Sequence, residues 1–185
     1  MQIKSATSNI RELLYWSYAN LAMADYAVTK NLEKYDRTCF MIRSRLFKGL
    51  SNNTMHMKSL FDDEKIKLNA GAKCSYCGAT DSLSLDHILP RHYGGEDSGD
   101  NLVLACKTCN SSKGDKDMLL WMKSHDKPIP LMVVRRYLKL VYNYCDKNEL
   151  LDKKVNDIKD LKLPFDVEQL PINAEKLERY VSMFM

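Results

Sequence analysis

Long apolar runs are missing from this 185-residue chain. No stretch approaches the roughly 20 consecutive apolar residues that a bilayer-spanning helix needs. The opening residues, MQIKSATSNI, lack the apolar stretch of a secretion signal. The expectation is a soluble, cytoplasmic protein with no membrane partner. Glycine and proline are scarce, at 7 and 5, and there is no internal repeat or low-complexity segment. With 45% hydrophobic and 28% charged residues, that excludes a collagen-like chain, a disordered chain and a coiled-coil rod. The length fits one domain, or one small domain with helical additions.

Strong charge of one sign is missing too. Twenty-eight basic residues face 24 acidic ones, net +4, so the total does not prove a nucleic-acid partner. The distribution is more telling. Residues 1–73 carry net +5, residues 74–127 net −2 and residues 128–185 net +1. Positive charge is concentrated ahead of the middle segment.

What the chain does have is six cysteines. In a reducing compartment disulfides are not expected. Four of the six form two CxxC pairs, Cys74-Ser-Tyr-Cys77 and Cys106-Lys-Thr-Cys109. Such pairs in a cytosolic chain read first as a metal site. Two knuckles supply a closed tetrahedral thiolate shell for Zn2+, which is a structural arrangement because no position stays open. Cys39 and Cys145 fall on apolar stripes and read as buried thiols.

Composition divides the chain into three regions. Residues 1–70 read as an N-terminal helical region. Asn9 with Glu12 makes a capping pair opening a helix over 10–29, with Ile10, Leu13, Leu14, Ser17, Leu21 and Ala24 on one stripe. Tyr15, Trp16 and Tyr18 read as packing residues. A second helix over 35–49 places Cys39, Ile42, Leu46 and Leu50 on one side and Arg37, Arg45 and Lys48 on the other. That basic arc is either a solvated face or a surface that tracks phosphates. Residues 71–124 hold most of the glycines and both cysteine pairs. Short strands are expected at Ser82–Leu85 and Leu102–Ala105, with a loop from Gly94 to Asp100 between them. One helix is expected to begin just after Cys109 and to carry Met118, Leu119, Leu120 and Trp121. Residues 125–185 read as a C-terminal helical region. Pro130 suits a first helical position, followed by a stripe of Leu131, Val134, Leu138, Val141, Tyr142 and Cys145, and a last short helix is expected over 173–183.

Twenty-eight residues separate Cys77 from Cys106, longer than the usual ribbon spacing of roughly 15–20. The insert contains Asp86-His87-Ile88-Leu89-Pro90, then Gly94-Gly95, then Asn101-Leu102-Val103-Leu104; Asn110 follows the last cysteine and Lys113 lies three residues on. In this order and spacing, Cys74 to Lys113 resembles the HNH endonucleases, the ββα-metal-finger nucleases, in their zinc-stapled form. The fold class expected is therefore α+β, a ββα-metal finger with a structural four-cysteine zinc site between helical regions. Asn110 stands where the family name places a second histidine, an H-N-N variant.

The residue types suit phosphodiester hydrolysis. Asp86 and Asn110 offer hard oxygen ligands for Mg2+, with Mn2+ a substitute. Neighbouring strand residues point to opposite sides, so Asp86 and His87 diverge. His87 then serves as general base and not as a metal ligand, as the resemblance also implies. For Asn101 the resemblance implies a bracing role on the loop that aims His87. Lys113 and Arg91 are candidates for phosphate contact or leaving-group stabilisation. His92 reads mainly as a solvated loop residue, as do Glu96, Asp97 and Asp100; nothing is assigned to His56 or His125. The resemblance further implies DNA as partner, contacted mainly on its backbone through the minor groove, and products with 5′-phosphate and 3′-hydroxyl ends. It suggests phage defence or restriction, with a homodimer or a partner protein such as an ATPase. Two alternatives stay open: a non-catalytic zinc-stapled nucleic-acid-binding module, and a nuclease subunit active only within an assembly. RNA is not separated from DNA by any residue pattern.

Overall fold

A computed structural model of the chain describes residues 9–57, 60, 71–126, 128–158, 160–173 and 179–181. The first helix, α1 (Ile10–Thr29), starts where expected, with Asn9 Oδ1 accepting the Glu12 backbone N–H at 2.9 Å. It is buried nearly all round: Leu13, Leu14, Tyr15, Trp16, Tyr18 and Met23 lie in the interior. Helix α2 (Arg37–Ser51) is capped by Asp36, whose carboxylate accepts the Cys39 backbone N–H at 2.9 Å. Only one side of α2 is covered. Cys39 and Leu50 are buried, while Arg37, Phe40, Met41, Arg45 and Lys48 are exposed.

The middle region folds as a two-stranded antiparallel ribbon followed by a helix. Strand β1 (Leu83–His87) pairs with β2 (Leu102–Cys106), placing Asp86 opposite Val103 and His87 opposite Leu102. Helix α3 (Lys107–Lys113) packs back on both strands. The single helix expected to begin after Cys109 is instead two. The first starts before Cys109, so that cysteine sits inside its opening turn. It stops at Gly114, whose φ of +51° is left-handed backbone that only glycine adopts readily. Asp117 then caps α4 (Met118–Ser124) by accepting the Leu120 backbone N–H at 2.9 Å.

Helix α5 (Leu131–Lys147) follows Pro130, which caps it, one residue later than its expected place. Leu131, Val134, Leu138, Val141 and Cys145 are buried. Tyr142 stacks on Tyr15 of α1 with ring centroids 5.8 Å apart. A short helix α6 (Val155–Ile158) comes next. Within the stretch expected to be a last helix, Tyr180–Val181 forms strand β4, parallel to β3 (Ile129–Pro130), a pairing that buries Tyr180. Residues 174–178 and 182–183 of that stretch, residues 184–185 after it, and residues 1–8, 58–59 and 61–70 of the N-terminal region lie outside the described residues.

The architecture is α+β, with helical segments flanking a small ribbon. One apolar cluster runs through all three regions: Ile10 and Leu14 of α1, Ile88 and Val103 of the ribbon, Trp121 of α4, and Leu138 of α5 belong to it. Among the described residues no helix is long and apolar enough to cross a membrane.

Candidate metal centre and cleft

The two cysteine pairs meet. The first pair sits on a tight turn, where Gly78 donates its backbone N–H to Cys74 O at 2.8 Å and takes a φ of +78°. The second pair sits at the end of β2 and in the first turn of α3. All four sulfurs lie within 4.8 Å of one another. Cys77 Sγ and Cys106 Sγ are 3.8 Å apart, and a tetrahedron of thiolates at about 2.3 Å from its centre has edges of about 3.8 Å. A hydrogen bond from the Cys109 backbone draws the Cys106 thiol down to about 7, while burial pushes Cys77 and Cys109 up. A chelated metal ion would hold all four thiols deprotonated.

The tyrosine inside the first pair reaches the ribbon. Tyr76 is fully buried, packs edge-on against Trp121 at 5.1 Å, and its hydroxyl donates to Asp86 Oδ2 at 2.6 Å. Burial, and then the nearby Asp86 charge, push the Tyr76 phenol well up, so it stays a donor. Lys113 Nζ lies 3.3 Å from Asp86 Oδ1 and 3.2 Å from Oδ2, and donates to the His87 carbonyl at 2.6 Å. Lys113 is 1% exposed. The sequence offers it for phosphate contact or leaving-group stabilisation; the structure turns it inward, where it pairs with Asp86 and pins the end of β1.

Asp86 and His87 do diverge. Asp86 is buried and His87 is half-buried, its Nε2 2.8 Å from Asp97 Oδ1. Arg91 Nη1 is 3.3 Å from the other Asp97 oxygen. The Asp97 carboxyl is held below the usual carboxylate range, first by the His87 hydrogen bond and then by the Arg91 charge. Asp97, read from sequence as a solvated loop acid, is therefore tied to His87 although it remains exposed.

Asn101 joins the loop to the end of β1. Its side chain accepts the Leu89 backbone N–H and donates to Leu89 O and Glu96 O, each at 2.8 Å. Gly95 is required by close approach, since a Cβ there would lie 2.1 Å from Leu89 O. The loop is also held from α5. Buried Arg136 donates through Nε to Asp100 O at 2.6 Å and through Nη2 to Gly99 O at 3.1 Å, and Lys147 pairs with Glu96.

Asn110 Nδ2 donates to Ser84 Oγ at 2.9 Å and Leu85 O at 3.1 Å, so its Oδ1 is the acceptor these two bonds do not use. Asp86, His87, Arg91 and Asn110 together line a cleft of about 310 Å³, with Gly114 and Asp115 at its edge. The structure thus brings Asp86, His87, Asn110, Arg91 and, beneath them, Lys113 and Asn101 to one place. Arg37, Arg45 and Lys48 are elsewhere, exposed on α2 and outside the cleft lining. Sequence reasoning missed Tyr76, Asp97 and Arg136.

Comparison with known proteins gives a family match and one curated relative. The HNH endonuclease family model matches residues 74–116. A CRISPR-associated endonuclease Cas9 of Corynebacterium diphtheriae is 39% identical over 56 residues, a stretch covering 28% of this chain and 5% of that protein. No solved structure matches the chain. Residues 74–116 are an HNH endonuclease family domain that carries a four-cysteine cluster able to chelate a metal ion.

Proposed function

We propose that this protein is a metal-dependent endonuclease that hydrolyses phosphodiester bonds in DNA, with β1, β2 and α3 as a ββα-metal finger. The observation that carries the reading is the shared cleft: Asp86, His87, Arg91 and Asn110 line one opening within the segment that the HNH family model matches. The cluster would hold Zn2+ as a structural ion, since four thiolates leave no position for substrate. Asp86 and Asn110 would hold Mg2+. Their donors are hard oxygens, and a carboxylate has about four acceptor sites, of which Tyr76 and Lys113 take three. Bound there, Mg2+ would supply charge stabilisation to the phosphate under attack.

The chain's own residues do the rest. His87 takes the proton of the attacking water. Tyr76 and Lys113 fix the Asp86 carboxylate, and Asn101 fixes the loop that faces His87. Arg91, exposed and lining the cleft, would meet a phosphate. Arg37, Arg45 and Lys48 offer a basic face for the flanking backbone, which the acidic segment 74–127 does not supply. In this reading residues 71–124 are the nuclease finger and the regions 1–70 and 125–185 its helical supports, and phage defence or restriction is the setting. Exposed Phe40 and Met41 on α2 favour a second reading, a nuclease subunit that works against a second copy or a partner protein such as an ATPase.

Incubating the full chain with a defined end-labelled duplex and Mg2+, with and without chelator, tests the assignment. Mg2+-dependent cuts with 5′-phosphate and 3′-hydroxyl ends are expected. Binding without any cut, in the presence of zinc and Mg2+, would instead support a non-catalytic binding module.

A further inference from the structure

The loop between the strands presents a carboxylate to His87 from a rigid frame. Asp97 Oδ1 lies 2.8 Å from His87 Nε2, and Arg91 engages the other oxygen at 3.3 Å. Its neighbours are fixed independently of the imidazole: Asn101 bonds Glu96 O, and Arg136 on α5 bonds Gly99 O and Asp100 O. An ionised carboxylate only accepts hydrogen bonds, so the proton shared by this pair belongs to Nε2. A neutral imidazole with its proton on Nε2 carries its lone pair on Nδ1.

We propose that Asp97 is a positioning residue that holds His87 in its Nε2–H tautomer and so makes Nδ1 the nitrogen that receives the proton. The inference rests on the endonuclease reading above and deepens it. In the step it serves, a water oxygen bonds to phosphorus and its proton passes to His87 Nδ1. The bond from phosphorus to the 3′ oxygen breaks, and that oxygen takes a proton from solvent. Nothing is oxidised or reduced. Asp97 receives no proton; its charge faces the imidazolium that forms, the role a carboxylate plays behind a catalytic histidine.

Two readouts on the full chain test this: long-range 1H–15N spectra of His87 recorded where the ring is neutral, and single-turnover nicking of supercoiled plasmid with Mg2+. Wild type is expected to show a protonated Nε2 and a bare Nδ1. Asp97→Ala is expected to show mixed tautomers and to nick about 10- to 100-fold more slowly, with unchanged requirement for Mg2+ and DNA. Asp97→Glu, which restores a carboxylate, is expected to recover part of both. A wild-type ring protonated on Nδ1 would overturn the inference. So would an Asp97→Ala protein with the wild-type tautomer and rate, or a loss that Asp97→Glu does not recover at all. If wild type never nicks, the endonuclease reading fails, and the ring spectra alone decide the tautomer assignment.

Discussion

The helical frame and the finger are stabilised by different means. Helices α1 and α5 meet through apolar side chains such as Ile10, Leu14, Leu138 and Val141, all at or near zero exposure, with the Tyr15–Tyr142 stack beside them. The finger has two five-residue strands and a seven-residue helix. Beside the few side chains it sends into the shared core, such as Ile88 and Val103, it holds a four-cysteine cluster and a buried Asp86–Tyr76–Lys113 network. A piece this small does not stabilise itself by burial alone. The comparison teaches that apolar packing supplies the frame's cohesion, while a four-cysteine cluster able to chelate a metal ion and a buried ion pair sit where the cleft is shaped.

The largest way to break the symmetry of that division is to remove a metal ligand. Cys109→Ser, or a strong chelator, is expected to unfold residues 74–116, because a structural zinc site of this kind is worth on the order of 10 kcal/mol. Helices α1 and α5 should persist. Hydrogen exchange by region checks this, and protection in the finger that survives metal removal would contradict it.

Removing Lys113 comes next. Lys113→Met leaves the Asp86 carboxylate buried without its counter-charge, and breaking such a pair costs about 3–5 kcal/mol. Denaturant unfolding should register that loss, and the Mg2+ requirement for nicking should change with it. A variant as stable as wild type would mean the pair is solvated. In the frame, Leu14→Ala is expected to cost about 2–5 kcal/mol through the cavity it leaves, with zinc content unaltered. Loss of zinc in that variant would show that frame and finger are not separable. The smallest effect is expected from Arg37, Arg45 and Lys48 changed together to Ala. Stability should hold, while DNA affinity loses salt dependence by up to about 0.9 in logarithmic slope for each phosphate contact removed. An unchanged slope would make the face a solvated one.

The frame was largely legible in the sequence, and the finger's chemistry only in part. Periodicity and capping residues located α1 and α5, because helix ends and apolar stripes are local signals: Asn9 caps α1 and Leu131, Val134 and Leu138 line α5. The cysteine pairs were legible because two CxxC knuckles are a local metal-site signal, and the Asp86-His87 step stood out because its segment resembles the HNH endonucleases. The break between α3 and α4 was missed although Gly114 and Asp117 carry it, since the apolar run Met118–Trp121 suggested continuity. Contacts between segments were not legible. Asp97 looks like one more acid in Glu96-Asp97-Ser98-Gly99-Asp100 until the loop folds over His87. Tyr76 looks like a spacer between two cysteines until the knuckle carries its hydroxyl to Asp86. Lys113 reads as a surface base because its position in α3 does not reveal that it faces the ribbon.

The measurement that bears most directly on the whole account is plasmid nicking by His87→Ala with zinc content determined on the same sample. The variant should bind zinc and keep its fold, and should lose nearly all Mg2+-dependent nicking, on the order of 10²–10⁴-fold for a general base. A zinc-loaded, folded His87→Ala protein that nicks at the wild-type rate would contradict it.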